Sequence, residues 1–215
     1  MGTLLVLAAA ALLGACAALP ERADALSDAP EARSQSAAGF VAPPSYSAAL
    51  QTWRRVEDVN AWIGARFEYD RARALQLSET QRNQGSRLPI HPAATFYETP
   101  QGVCVDLSRF AVETLRAIDP QAQPSYVMIE FEPISIAGQT LRRHWIVGFE
   151  RDGQHYFFAD SKRPGHIAGP YPSTRAFIDD YARYRGRPVV AFRELDSFER
   201  KVRVMAVRQD RAPSR

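Results

Sequence analysis

Cys104 lies in Thr99-Pro100-Gln101-Gly102-Val103-Cys104, just before Leu107, Phe110, Ala111, Thr114, Leu115 and Ile118 recur at the spacing of a buried helical face. The cysteine is therefore expected at a helix N-terminus, with Asp119-Pro120 as the stop. That position carries chemistry. A thiol attacks a carbonyl as the thiolate, and a helix start beside an imidazolium lowers its pKa. Gly102 allows the tight entry that would leave the sulfur at the surface. The Cys104 N–H would be one of the unpaired helix-start donors open to an oxyanion.

The imidazole must come from elsewhere in the chain. His91 and His166 stand beside breakers in loops, whereas His144 and His155 stand in strand-like runs. His144 is expected to open a strand, His144 to Glu150, and Asp152-Gly153 signals a hairpin that returns the chain through His155 to Ala159. Asp160, at the far end of that second strand, then faces His144 across the open end of the hairpin. Nucleophile, base and orienting carboxylate follow in the order Cys104, His144, Asp160, from a helix start and two strand ends.

Gly102-Val103-Cys104-Val105-Asp106 at a helix start, His144-Trp145 and Asp160 closing a strand together resemble the transglutaminase-like superfamily of papain-related folds. The resemblance runs from about Trp53 to Tyr171 and includes Trp62-Ile63-Gly64-Ala65-Arg66-Phe67-Glu68-Tyr69, similar to the segment that bacterial members place before their cysteine. It implies an α+β fold in which N-terminal helices, with the catalytic cysteine at a helix start, pack on an antiparallel sheet. It also implies an oxyanion donor upstream of the cysteine, for which Tyr69 is the candidate and Gln101 the rival. Asp106, two residues after the cysteine, is read as a first-turn carboxylate meeting the helix dipole, with a hydrogen bond to a neighbouring strand or loop as the alternative.

The elements needed to position these residues can be read from pattern. Leu50, Trp53, Val56, Val59, Trp62 and Ile63 predict one amphipathic helix ending at Gly64, followed after Asp70 by a polar looped segment to His91. Further strands are expected at Ser125 to Phe131, Val189 to Arg193 and Val202 to Val207. A helix capped by Ser173 or Thr174 carries Phe177, Ile178, Tyr181 and Tyr184 on one face before Gly186. Helices first and an antiparallel meander after them make the class α+β.

The N-terminal part predicts an export and anchoring device. Residues 1–15 carry no charged side chain and read as a signal peptide. Leu13-Gly14-Ala15-Cys16 resembles the bacterial lipobox, which implies cleavage before Cys16, lipid attachment to it and a mature chain whose remaining thiol is Cys104. Residues 16–44, rich in Ala, Pro, Ser, Glu, Asp and Arg, read as a flexible tether, 45–209 as the catalytic domain and 210–215 as a disordered tail. The expected location is the bacterial cell envelope, on the periplasmic face of the outer membrane.

Bulk properties fit one domain: 215 residues, 46% of them hydrophobic, with 27 Lys and Arg against 24 Asp and Glu for a net charge of +3. The scattered arginines form no nucleic-acid-binding stripe. With no zinc spacing, phosphate loop, EF-hand loop or calcium-type acidic cluster, no cofactor is expected. The triad would act through a thioester, and peptidase or amidase action on envelope proteins or peptides is the favoured outcome because a tethered domain meets water everywhere. A protein-glutamine transglutaminase and an inactive binding lipoprotein of the same fold are the alternatives. Arg142, Arg143, Lys162 and Arg163 flank the proposed site, as a solvated basic face or as a guide for an acidic substrate or anionic wall polymer.

Overall fold

The computed structural model describes residues 26–31 and 39–199. The expected signal peptide, the Cys16 lipidation site, the strand Val202 to Val207 and the 210–215 tail lie outside the described residues. Among the described residues no helix is long and apolar enough to cross a membrane.

Helix α1, Tyr46–Thr52, starts where Ser45 Oγ accepts from Ala48 N, and α2 runs Val56–Arg66. The single helix expected across Leu50 to Ile63 is thus two. Trp53 is extended (φ −70°, ψ 145°), and Asp58 Oδ2 accepts from Arg54 N and Arg55 N at 2.9 and 3.1 Å, which makes a new helix start attractive there. The break costs no packing, because Trp53 still meets Trp62 edge to face with centroids 6.4 Å apart.

The segment expected to loop to His91 also holds structure. Two short helices, α3 Arg71–Gln76 and α4 Glu79–Asn83, are capped by Asp70 and Ser78, which accept from Arg73 N and Gln81 N. Helix α5, Ala93–Glu98, follows Pro92, and α6, Cys104–Ile118, begins at the cysteine as its apolar spacing predicts. A 3-10 turn, Pro120–Ala122, then leads into the sheet.

The strands flanking the first hairpin are longer than their apolar runs suggested. Strands β3, Ser125–Ile136, and β4, Gln139–Arg151, continue to a turn at Ala137-Gly138, where both residues have positive φ. His144 therefore sits inside β4 and does not open it. Strands β5 (Gln154–Phe158), β6 (Ala168–Tyr171) and β7 (Val189–Leu195) complete an antiparallel sheet in the order β6-β5-β4-β3-β7.

Both faces of this sheet are covered, and strand alternation sorts the side chains. Tyr126, Met128, Trp145, Val147 and Phe149 pack with α2, α5 and α6 around Trp62, Phe96 and Phe110. Val127, Ile129, Phe131 and Ile146 face the other way, against Phe177, Ile178 and Tyr181 of α7, Thr174–Arg185. The molecule is α+β, with its helices on two sides of an antiparallel sheet.

Candidate active site

The start of α6 is fixed from upstream. Strand β1, Glu68–Tyr69, pairs in parallel with β2, Gln101–Gly102, so that Tyr69 lies beside Gly102, two residues before Cys104. Asp70 N donates to Gly102 O at 2.8 Å and continues the pairing. Gly102 is required here for space: a Cβ on it would come within 2.9 Å of Phe96 and 3.0 Å of Asp106.

Asp106 fills both roles left open by the sequence. Its fully buried carboxylate accepts from Val103 N (3.1 Å) across the helix start and from His91 N (2.9 Å) in the preceding loop. It also takes both arms of Arg73, Nε at 2.8 Å and a terminal nitrogen at 2.7 Å. Arg73 in turn donates to Pro89 O, which ties α3, the loop and α6 into one unit.

Next to this helix start the sheet has a gap. Strand β5 pairs with β4 only from Val147 to Arg151, so among the described residues no strand pairs with β4 on that side at His144 and Trp145. The Trp145 backbone N–H turns to the Cys104 sulfur, as does the His144 imidazole. The chain leaves β5 through Ala159, whose φ of 58° is a conformation that costs a non-glycine residue about 1 kcal/mol. That turn aims Asp160 back at His144.

The resulting constellation is buried. His144 Nε2 is 3.0 Å from Asp160 Oδ1, which also accepts from Lys162 N at 2.9 Å. Tyr181 on α7 donates its hydroxyl to Asp160 Oδ2 at 3.0 Å, and its ring stacks on the imidazole with centroids 5.8 Å apart. Arg185 donates to the Tyr181 hydroxyl at 3.1 Å. Of the four histidines His144 is the one at Cys104; His166 is exposed and His155 pairs opposite Glu150 at the far end of β5.

One partner was not expected. Residues 26–31, read from sequence as part of a flexible tether, lie against the site, and Asp28 Oδ2 is 3.1 Å from His144 Nδ1, an ion pair without hydrogen-bond alignment. A carboxylate oxygen of Asp28, the Cys104 sulfur and a ring nitrogen of His144 all lie within 4.8 Å of one another. Such a trio has the right donors for a thiophilic divalent ion, with Asp160 behind the imidazole as in carboxylate–histidine–metal sites.

Charge in the cluster is biased toward an imidazolium facing a neutral thiol. Burial pulls His144 down, but Asp28 and Asp160 more than offset it and hold it well above the ordinary imidazole value. Burial pushes the Cys104 thiol up, and Asp28 adds to that shift against the opposing pull of His144 and the Trp145 N–H. Burial raises Asp160, but His144, Arg185 and the Lys162 N–H together hold it below the ordinary carboxylate value.

A cleft of about 350 Å³ reaches Cys104, lined among others by Leu77, Leu88, Leu141 and Trp145. Tyr69 lines it. Burial, Asp28 and Cys104 raise the Tyr69 hydroxyl well above its usual value, so it remains a donor at neutral pH. Gln101, the rival oxyanion donor, is exposed. Arg142 and Arg143 stand on the cleft wall, where Arg143 pairs with Glu130 at 3.1 Å and Glu79 at 3.5 Å. Comparisons with protein-family models, with curated proteins and with solved structures found no match to this chain.

Proposed function

We propose that the chain is a cysteine-dependent acyl-transfer enzyme of the transglutaminase-like, papain-related kind, with Cys104 as nucleophile, His144 as proton carrier and Asp160 as orienting carboxylate. One observation carries the reading: a single imidazole has a ring nitrogen within 4.8 Å of the sulfur at a helix start and offers Nε2 to a buried carboxylate 3.0 Å away. The Tyr181 hydroxyl on Asp160 and the Tyr181 ring on His144 restrict both to that orientation.

In this scheme His144 first gives up its proton to solvent as Asp28 leaves Nδ1; the neutral imidazole then takes the thiol proton and the sulfur attacks the acyl carbon, forming the C–S bond while the carbonyl electrons move to oxygen. The Cys104 N–H and the Tyr69 hydroxyl are the donors for that oxyanion. Collapse expels the amine, which leaves with the proton carried by His144, and a thioester remains. Water then attacks the thioester, His144 removing its proton; the C–S bond breaks, the sulfur takes that proton back from His144, and the acid is released.

Hydrolysis, as peptidase or amidase on envelope proteins or peptides, is the favoured outcome because the cleft is open to water. The same thioester would yield to an amine in a protein-glutamine transglutaminase. Export by residues 1–15 and lipid attachment at Cys16 belong to the same proposal. The test is to incubate the wild-type chain and Cys104→Ser with envelope proteins and a labelled primary amine, and to analyse the products by mass spectrometry. New cleaved or deamidated products are expected with wild type, and a rate at least ~10³-fold lower with Cys104→Ser at an unchanged melting temperature. Label incorporated into protein would assign the transfer reaction; equal products from both proteins would remove Cys104 as nucleophile.

A further inference from the structure

Leu26 to Glu31 are held by cations that the catalytic scheme does not use. Arg185, 6% exposed, donates from one terminal nitrogen to Asp28 Oδ1 at 2.8 Å, to Ser27 O at 3.2 Å and to Leu26 O at 3.4 Å. Arg187, also buried, donates to Leu26 O at 3.1 Å and to Glu132 O at 2.8 Å. Lys162, 2% exposed, pairs with Glu31 Oε2 at 3.2 Å, and Tyr184 donates to the same carboxylate.

The backbone is gripped as well. Glu31 N donates to Lys162 O at 3.0 Å, Ser161 Oγ donates to Asp28 O at 2.9 Å, and Ala29 is buried. Main-chain hydrogen bonds and paired charges together hold this bent stretch, in which Leu26 is helical and Ser27, Asp28 and Ala29 are bends. Buried guanidinium and ammonium groups need anions, and here the anions come from the segment itself. At the centre, the Asp28 carboxylate stands within 4.8 Å of both the sulfur and a ring nitrogen of His144.

We propose that Ser161, Lys162, Tyr184, Arg185 and Arg187 form a binding groove for an acidic peptide, and that the chain's own Leu26–Glu31 occupies it and blocks Cys104. The proposal rests on Cys104 being the reactive thiol of this site. Asp28 presents a carboxylate to the sulfur, an anion that resists nucleophilic attack, so the occupant is retained without being cleaved. It also provides the imidazolium with a counter-ion, and the thiol gives up its proton less readily as a result. A competing substrate must match this chemistry, with an acidic side chain placed as Glu31 is for Lys162 and an uncharged acyl group where Asp28 meets the sulfur.

The test reads alkylation of Cys104 by iodoacetamide, located by peptide mapping, in the full chain and in Asp28→Ala/Glu31→Ala. At least tenfold faster alkylation is expected in the double variant. The free peptide Leu-Ser-Asp-Ala-Pro-Glu, blocked at both ends, should restore protection, whereas its Asn and Gln counterpart should not. The single variant Glu31→Lys, which opposes Lys162 at a partly exposed position, should give an intermediate rate even if the double variant folds poorly. Equal alkylation rates in all three proteins, or equal protection by the neutral peptide, would overturn the groove. Fast alkylation in the variants with no turnover of any acyl substrate would instead overturn the proposed catalysis and leave the groove standing.

Discussion

At the scale of single residues, His144 faces four claimants with two nitrogens: Asp160 and the Tyr181 hydroxyl, each 3.0 Å from Nε2, Asp28 at Nδ1, and the Cys104 sulfur within 4.8 Å. Which of the last two holds Nδ1 decides whether the sulfur is a resting thiol or a nucleophile. Tyr69 is the other residue whose role is open to direct measurement. If its hydroxyl holds the oxyanion, Tyr69→Phe should lower kcat by about 10²-fold with little change in KM, since one such donor is worth roughly 3 kcal/mol in the transition state. As a packed aromatic it would leave kcat unchanged, and steady-state kinetics on the folded variant separates the two. Cys104, His144 and Asp160 were legible in the sequence because residue type, chain order and the Asp152-Gly153 hairpin all restrict where they can meet. Asp28, Tyr181 and Arg185 were not. Asp28 lies in a stretch with no apolar period to announce packing, and the aromatic spacing of α7 reads as core whether or not a hydroxyl reaches a carboxylate.

At the scale of elements, the helix start at Cys104 is held by one carboxylate, Asp106, shared among Val103 N, His91 N and Arg73. Asp106→Asn keeps the shape but leaves the Arg73 charge, 7% exposed, without its anion. Breaking a buried pair from one side costs about 3–5 kcal/mol, so the urea midpoint should fall steeply and the thiol should become accessible as the loop to His91 loosens. A midpoint within error of wild type would show that Asp106 does no more than meet the helix dipole. The position of α6 was readable because its apolar face runs for its whole length, Leu107 through Leu115. The break between α1 and α2 was hidden because the apolar spacing continues across it; the signal was Asp58, placed to cap the backbone of Arg54 and Arg55. Helices α3 and α4 were hidden for the opposite reason, since both are shorter than two full turns of apolar repeat, and their caps, Asp70 and Ser78, were the available clue.

At the scale of the whole molecule, the site exists because the sheet is incomplete: β5 stops at Phe158, and the start of α6, the turn at Ala159 and residues 26–31 converge on the bare edge of β4. The α+β class was legible from the order of helical and strand periodicities, whereas this convergence depends on where β5 ends and had no local signal. The arrangement also separates a metal centre from an acyl-transfer site. Under the proposed mechanism, dialysis against EDTA leaves turnover unchanged and micromolar zinc suppresses it by occupying Asp28, Cys104 and His144 together; loss of activity on EDTA treatment that zinc restores would reverse that assignment. The central claim is that Asp160 makes His144 a competent base for Cys104, and its most direct test is the acylation burst with p-nitrophenyl acetate, followed in wild type and Asp160→Asn, each also carrying Asp28→Ala/Glu31→Ala so that the sulfur is free, with melting temperatures from the same preparations. Because the amide favours the wrong imidazole tautomer and no longer supports its charge, the burst rate should fall by at least ~10²-fold in a protein that still melts cooperatively. A burst at the wild-type rate in folded Asp160→Asn would contradict the triad.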